Sequence, residues 1–456
     1  MKKIEIWILY LVILLGLIAS IFFGFLVRQE TIGGTKNIFT KAALAVAEIP
    51  LTTIKIFRSF SGLIPLDDRF PNLDGFDGET NEFQAYLLLT KYDGSLKEGV
   101  VELIDLTNFE ILHTWNPDID FFNSETMSFG DPNEFKYLQR DSNNKRSRLK
   151  HPQLTNDGGL LFINQYSPLY KIDSCSNLMF QNAENLYHHS IEVDEKNNIW
   201  APSYLFPSEL NIRKFGEKIY SDGGYYDDAI VKLSPQGKIL FSKSISEIFL
   251  ENNMEYLLFS VGDPGFDRDP IHLNDIQPVD FSSRFWQKGD VFISLRHQSM
   301  ILLYRPATNK IIWTGVGPFY HQHDIDILDD HRISIFNNNS KDFWDKDTVD
   351  VSNEVLIYDF AENKYSSYFK ESLLNNNIKT LTQGRSQILP NGDLFIEETD
   401  YGRSLFFNSD GSLRWTHLNR SDDGKVYTVG WSRIMYSSKD LQKVNNFLNN
   451  KGECND

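Results

Sequence analysis

The sequence predicts an all-β protein: a six-bladed β-propeller preceded by an N-terminal transmembrane helix and a short helical segment. Three observations carry the prediction. From about Phe83, short runs of alternating apolar and polar residues recur with turn signals roughly every 8–12 residues, the pattern of a sandwich, barrel or propeller. Aromatic residues make up 14% of the chain, with 34 Phe, 20 Tyr and 8 Trp, the residue types that pack pleated faces. The run Ile6–Val27 is apolar throughout and long enough to cross a bilayer as a helix.

Residues 1–30 read as a cytoplasmic tip and a transmembrane signal-anchor. Lys2 and Lys3 precede the apolar run, so the short N-terminus is expected to stay in the cytoplasm and the rest to be translocated. A cleaved signal peptide would have a shorter core and a small-residue cleavage site. The run instead ends in "GFLVRQE", which favours an uncleaved single-pass anchor with an extracytoplasmic domain, periplasmic or at the cell surface. Residues 31–82 read as a linker, "TIGGTKN", and a helical segment over 38–58 that Pro50 is expected to break or kink.

Residues 83–440 form the predicted propeller. "GGLLFINQYSPLYKIDSCSNLMF", "KGDVFISLRHQSMILLYRPATNKIIWT" and "NGDLFIEETDYGRSLFFNSDGSLRWTH" share one layout of three strands divided by polar turns. With the strand before each, every unit has four strands in roughly 45–60 residues, the size of a propeller blade. Units beginning near 84, 151, 189, 272, 323 and 383 number six. The long stretch 205–270 is expected to be irregular or partly helical and, by its length, functional. Residues 141–150, "DSNNKRSRLK", read as a solvated inter-blade loop, and 441–456 as a polar tail.

Four of the ten histidines open such units: His151, His189, His272 and His323. Equivalent positions of a radial repeat lie near one axis, so these imidazoles are expected to converge together with "QGRS" (383–386). A single histidine at a strand start usually caps a loop; several buried together without use are costly.

Composition narrows the partners. The net charge of -17 excludes a nucleic-acid partner on the usual electrostatic grounds. Cys175 and Cys454 lie far apart, have no zinc spacing and are expected to be unpaired. No dinucleotide fingerprint, P-loop or nucleophile elbow is present, and no cofactor is implied. A histidine cage for a metal is one possible chemistry, but the flanking carboxylates Asp275, Asp324 and Asp326 fall at spacings that turn some of them off the axis, and nothing resembles a two-His-plus-carboxylate spacing. The other is nucleophilic transfer of an anionic group: a neutral imidazole attacks while an amide and a guanidinium hold the oxygens. His272 and Asn274, at i and i+2, with Arg296 on the next strand, are the residue types a tetrahedral oxyanion needs.

The motifs "IHLNDIQPV", "GDVFISLRHQSMILLYRPATNKIIWT", "QHDIDILDDHRISIFNNN" and the upstream "HHSIEVDEKNNIW" resemble the bacterial arylsulfotransferases, which use no nucleotide sulfate donor. The resemblance runs from about 85 to 435. It implies transfer of a sulfuryl group from an aryl sulfate donor to a phenolic acceptor, ping-pong, through a sulfated histidine. By position, His323 would be the nucleophile. His272, Asn274 and Arg296 would bind the sulfuryl oxygens, and His189 would assist as acid/base or sulfuryl-binding residue. His321 would sit farther out at the mouth and contact substrate. A family threonine has only Ser386 or Thr382 as a match. His188 could exchange with His189, and His321 with His323, by a slip of one strand face. His151 receives no task, and His297 points to the other face of its strand. Two other readings stand beside this one: a non-catalytic propeller scaffold, and a metal- or quinone-dependent propeller enzyme.

Overall fold

The computed structural model describes residues 5–31, 37–60, 62–126, 143–205, 226–259, 269–342, 347–349, 351–452 and 454. Part of the linker (32–36), the start of the 141–150 loop and two stretches of the long insertion (206–225 and 260–268) lie outside the described residues. The chain divides into two units, Met1–Gly62 and Leu63–Asp456.

The first unit holds two helices, α1 (Ile6–Thr31) and α2 (Ile38–Phe60). No Asp, Glu, Lys, Arg or His interrupts α1 from Ile6 to Val27, and its apolar side chains are exposed. Asn37 starts α2 as an N-cap: its side-chain oxygen accepts from the N–H groups of Phe39 and Thr40 at 2.9 and 3.1 Å. The helix continues through Pro50 rather than ending there. Proline removes one N–H from the ladder, and a helical flank on each side carries the element across it.

The second unit is built of antiparallel meanders, an all-β, propeller-like arrangement. One sheet holds Tyr86–Asp93, Glu98–Asp105 and Glu110–Trp115, and Arg433–Met435 from the far end of the chain pairs with its first strand (Tyr86↔Met435, Leu88↔Arg433). Leu273–Pro278, Val291–Leu295, Met300–Arg305 and Lys310–Val316 form a second. Ile325–Ile327, Arg332–Asn337, Glu354–Asp359 and Lys364–Tyr368 form a third. Arg385–Ile388, Leu394–Glu398, Arg403–Phe407 and Leu413–Leu418 form a fourth, with Gly75–Gly78 added outside Leu413–Leu418. The propeller unit therefore recruits residues ahead of 83.

The units expected to begin at 151 and 189 are not separate sheets. They form one eight-stranded sheet running from Lys150–Leu154 to Ile239–Ser244. The long strand Leu178–Tyr187 reaches across to Ile199–Tyr204 (Tyr187↔Ser203, Leu186↔Tyr204) and joins the two meanders. Four sheets thus have the form of separate blades, against the six expected.

Helices fill the edges: α3 (Ile119–Thr126), α4 (Ile245–Glu251), α5 (Tyr256–Phe259), α6 (Lys370–Asn375) and α7 (Ser438–Asn450). The long stretch expected to be irregular or partly helical instead supplies two strands of the eight-stranded sheet, Asp228–Leu233 and Ile239–Ser244, before it turns helical in α4 and α5. Residues expected as a polar tail form most of α7. Ser437 and Asp440 close a capping box at its start, and Val444 and Phe447 are buried with Trp115, Phe162 and Tyr170 in one core cluster. The apolar positions of α7 are few, which is why its composition reads as tail.

Cys454, beyond α7, is bonded to Cys175 across 279 residues, with Cα atoms 5.3 Å apart. The expectation of two unpaired thiols is corrected. α7 packs against the strands around Cys175, a placement that sequence separation conceals.

Candidate functional site: a buried histidine cluster

Six residues ahead of or at the start of inner strands share a left-handed backbone: His151 (φ +47°), His189 (+61°), His272 (+53°), His321 (+52°), Gln383 (+56°) and Trp431 (+67°). A non-glycine residue in this region costs about 1–3 kcal/mol and persists only where its surroundings impose it. This common geometry corrects the register read from the sequence. In the unit near 323 the equivalent of His151, His189 and His272 is His321, and His323 lies two residues farther in. Alternation cannot separate these two, because i and i+2 share a strand face.

His189, His272 and His323 come together. Ring centroids of His189 and His272 are 5.3 Å apart, and those of His189 and His323 are 6.1 Å apart. Trp431 walls this cluster, its ring 6.4 Å from His189, 6.2 Å from His323 and 5.3 Å from His151. All three site histidines lie on short connections into strands, so the sheets fix their backbones.

His323 is almost fully buried and held at both nitrogens. Nδ1 donates to Asn338 Oδ1 at 2.6 Å, with His321 O at 3.1 Å, and Nε2 accepts the Gln383 N–H at 2.9 Å. This pattern defines the Nδ1–H tautomer. Burial, and then the Arg296 cation, push its pKa well below the usual histidine value, so the ring is neutral near pH 7. Arg296 itself is 7% exposed. His189 is likewise depressed, by burial and then by His188 and His272.

His272 is held differently. Its Nδ1 meets Asp269 Oδ2 at 2.5 Å, and its Nε2 has no hydrogen bond among the described residues. Burial raises the Asp269 carboxyl, but the bond to His272 and the neighbouring imidazoles outweigh it and leave its pKa lowered. His297, 4.5 Å ring to ring from His272, donates from Nδ1 to Asp269 O. Asp269, His272 and His297 thus bring one carboxylate oxygen and two ring nitrogens within 4.8 Å, a grouping that sequence spacing did not reveal and that its own hydrogen bonds hold together.

Asn274 is buried and donates from Nδ2 to Gln322 O at 2.9 Å, which leaves its second N–H. The His321 ring lies 6.3 Å from that of His297, beside the cluster. Ser386 enters through its backbone, whose N–H donates to Asp324 Oδ2 at 3.1 Å. Thr382 is turned to Asp400, which accepts its N–H at 2.9 Å.

His151 is structural. Its Nδ1 accepts the Ile191 N–H at 3.0 Å, and the guanidinium groups of Arg385 and Arg433 lie against its Nε2 side at 2.9 and 2.5 Å. Next to it lies a buried charge network. Burial, then Glu192, raises Asp275 to about 7. Burial, opposed by Arg385, raises Asp324 to about 7; burial, then Asp324, raises Asp326 to about 8. Asp275 Oδ2 and Asp324 Oδ2 each accept a backbone N–H from the neighbouring unit, of Ile325 and Ser386. These carboxyls fasten the sheets beside the site; they do not enter it as a metal cage.

Sequence reasoning missed Asn338, Asp269, Gln383 N–H as a partner of His323, and Trp431. Gln383 lay in the "QGRS" expected to converge with the histidines, and Trp431 had a signal in "GWSR", which falls at the same repeat position; Asn338 and Asp269 had none. A cavity of about 460 Å³ between α7 and the turns at Gly158 and Ser174 shares no lining residue with the cluster.

Fold and site together define an all-β, propeller-like protein with a polyhistidine centre backed by an arginine. The arylsulfotransferase (ASST) family model matches residues 151–420, and the chain belongs to that family. No curated protein matches the chain significantly. Similar solved structures include a Bacteroides caccae protein of unknown function, 11% identical over 76% of this chain and 98% of that one, with a TM-score of 0.46. The WD40 propeller domain of Doa1 is 11% identical over 83% and 99%, with a TM-score of 0.36. Streptogramin B lyase is 12% identical over 63% and 93%, with a TM-score of 0.34.

Proposed function

We propose that this chain is a membrane-anchored arylsulfotransferase that moves a sulfuryl group from a phenolic sulfate ester to a phenol through a sulfohistidine. The observation that carries the reading is the convergence of the rings of His189, His272 and His323 at 5.3–6.1 Å, with the Arg296 charge acting on His323. His323 Nε2 attacks sulfur, the S–O bond to the phenolate breaks and an N–S bond forms. The acceptor oxygen then reverses the step. Arg296, His272 and the second N–H of Asn274 hold the sulfuryl oxygens, and His189 handles the proton. Positioning and charge neutralisation do most of the work in such transfers. Attack requires Nε2 to release the Gln383 N–H, which then stands beside the new N–S bond as a further oxygen donor.

A specific observation favours a second assignment of the nucleophile. His272 has its Nδ1 fixed by Asp269 and its Nε2 without a partner among the described residues, the arrangement of an activated imidazole. His272 would then attack and His323 would bind.

We read the eight-stranded sheet as two joined blades, giving six in all. The six left-handed positions, one per unit, support that count. The α1 helix and the Cys175–Cys454 bond support an anchored, extracytoplasmic placement, since structural disulfides persist in oxidising compartments. Incubation with nitrophenyl sulfate and a phenol should release nitrophenol and form the new aryl sulfate, and His323→Ala should abolish both. Full activity in that variant would exclude His323 as nucleophile, and no transfer by the wild-type protein to any phenol would exclude the activity.

A further inference from the structure

Both half-reactions proposed above move a proton. The leaving phenolate must receive one and the attacking phenol must lose one. His189 is the ring placed to do this, yet it is held neutral, so it stores no extra proton. Behind it stand two buried groups with no assigned task. His188 Nδ1 is 2.8 Å from His189 Nδ1, and His188 Nε2 is 3.4 Å from Asp228 Oδ1. Neither His188 nor Asp228 is exposed to solvent. His188 Nε2 and both Asp228 oxygens make no ordinary hydrogen bond among the described residues, although the N–H groups of Leu273 and His272 face the carboxyl.

We propose that Asp228, His188 and His189 form a proton relay, with Asp228 as the store. This rests on the sulfuryl-transfer reading. In the resting state Asp228 is a neutral acid whose O–H faces His188 Nε2, His188 Nδ1–H donates to His189 Nδ1, and His189 carries its proton on Nε2. When the S–O bond breaks, the phenolate takes the His189 Nε2 proton. His189 Nδ1 takes the proton from His188 Nδ1, and His188 Nε2 takes that of Asp228. The end state has an aspartate facing His188 Nε2–H, two neutral imidazoles and a neutral phenol. Deprotonation of the acceptor phenol runs the chain backwards and restores the acid. No imidazolium forms at rest or at the end.

The surroundings suit a neutral Asp228 in the resting state. Burial, and then the Asp269 carboxylate, raise its pKa well above the usual value, with Asp227 adding to the effect and the Leu273 and His272 amides opposing it. Tyr166 and Tyr204 lie against His188, their own rings 5.3 Å apart, and Tyr226 stacks on Tyr204 at 5.1 Å; these rings bring no cation. Burial, then His188's neighbour His272, takes His188 itself down to about 3. His188 and Asp228 act through His189 and are positioning residues.

The test varies the leaving group. Asp228→Asn keeps a hydrogen-bond donor towards His188 but cannot ionise. With phenyl sulfate, whose leaving group needs the proton, kcat/KM for the donor, which reports the first half-reaction alone, should fall by roughly 10²- to 10⁴-fold, the usual contribution of general acid–base catalysis. With nitrophenyl sulfate, whose phenolate leaves unaided, it should fall far less, so the dependence of rate on leaving-group pKa steepens. An equal fall for both donors would mark a merely structural role and overturn the relay. Infrared difference spectra give a readout that needs no activity: the full-length protein minus Asp228→Asn should show one protonated-carboxyl carbonyl band at neutral pH, the bands of Asp275, Asp324 and Asp326 being common to both and cancelling. Absence of that difference band would also overturn the relay. A wild-type protein inactive on every donor would overturn the sulfuryl-transfer reading, and the band would still decide whether Asp228 holds a proton.

Discussion

The side-chain oxygen of Asn338 accepts the Nδ1 proton of His323 at 2.6 Å and thereby chooses which nitrogen keeps the lone pair. Asn338 is fixed in turn, its Nδ2 donating to Gln383 O at 2.7 Å and to Thr380 O at 3.3 Å. The same segment that supplies the Gln383 N–H to Nε2 therefore orients the residue that holds Nδ1. Tautomer and ring plane are set from one side of the site.

Removing that hold should cost rate more than binding. Asn338→Ala should lower kcat by the loss of one buried hydrogen bond, about 1–3 kcal/mol, or roughly 5- to 150-fold, with KM for the donor little changed. Steady-state kinetics with nitrophenyl sulfate checks this, and a KM effect alone would place Asn338 in binding instead.

Stability should peak near pH 6.5. His151, His189, His297 and His323 have folded pKa values below the unfolded value, and His188 and His417 are down at about 3. Below about 6.5 the unfolded chain therefore binds more protons at these sites than the folded one, and stability falls as pH falls. Asp275, Asp324 and Asp326 work the other way, and so does Asp228, whose pKa burial raises well above the usual value. Folded values of about 7, 7 and 8 mean that their contribution is present at low pH and lost as pH rises through 7–8. The histidines outnumber the carboxyls on the acid side, and on the alkaline side the carboxyls act alone. A Tm profile by calorimetry that rose steadily from pH 5 to 9 would contradict this balance.

Opening the Cys175–Cys454 bond should release the end of α7. Cys454→Ser, or reduction, is expected to cost about 2–5 kcal/mol. Val444 and Phe447 lose their pinned position against Trp115 and Phe162 while the histidine cluster, built on other strands, keeps its geometry. Denaturant unfolding with and without reductant checks the size of the effect, and retention of turnover in the reduced protein below its midpoint checks that the site is separate.

Chelator treatment should leave sulfuryl transfer unchanged. Asp269, His272 and His297 are held by hydrogen bonds and His323 by Asn338, so the proposed steps use imidazole, guanidinium and amide groups alone. Loss of activity with a chelator, restored by one added divalent metal, would favour the metal-dependent alternative.

The repeat and its histidines were legible because each unit writes the same local pattern: a left-handed residue, an inner strand, a turn and an apolar strand. What stayed hidden had a physical reason in each case. His321 and His323 satisfy the same alternation, and only the backbone φ distinguishes them. The units at 151 and 189 alternate like the rest, but the length of Leu178–Tyr187 lets it bridge to the next meander. Asn338, Asp228 and Asp269 reach their histidines through tertiary contacts or past a turn, where no spacing rule applies. The disulfide joins residues 279 apart, and sequence reasoning has no purchase on a contact of that range. His189, His272, Asn274 and Arg296 were legible because strand starts and an i, i+2 pair carry geometry within a few residues.

The most direct measurement is to trap the covalent intermediate. The full-length protein is mixed with an aryl sulfate in the absence of acceptor, digested at alkaline pH to spare the acid-labile N–S bond, and mapped by mass spectrometry. The account predicts a stoichiometric gain of one sulfuryl group on the peptide containing His323, absent in His323→Ala. A sulfuryl group on the His272 peptide instead would move the nucleophile to the Asp269-held ring. A protein that releases phenol yet carries no sulfuryl group on any histidine would contradict the sulfohistidine mechanism itself.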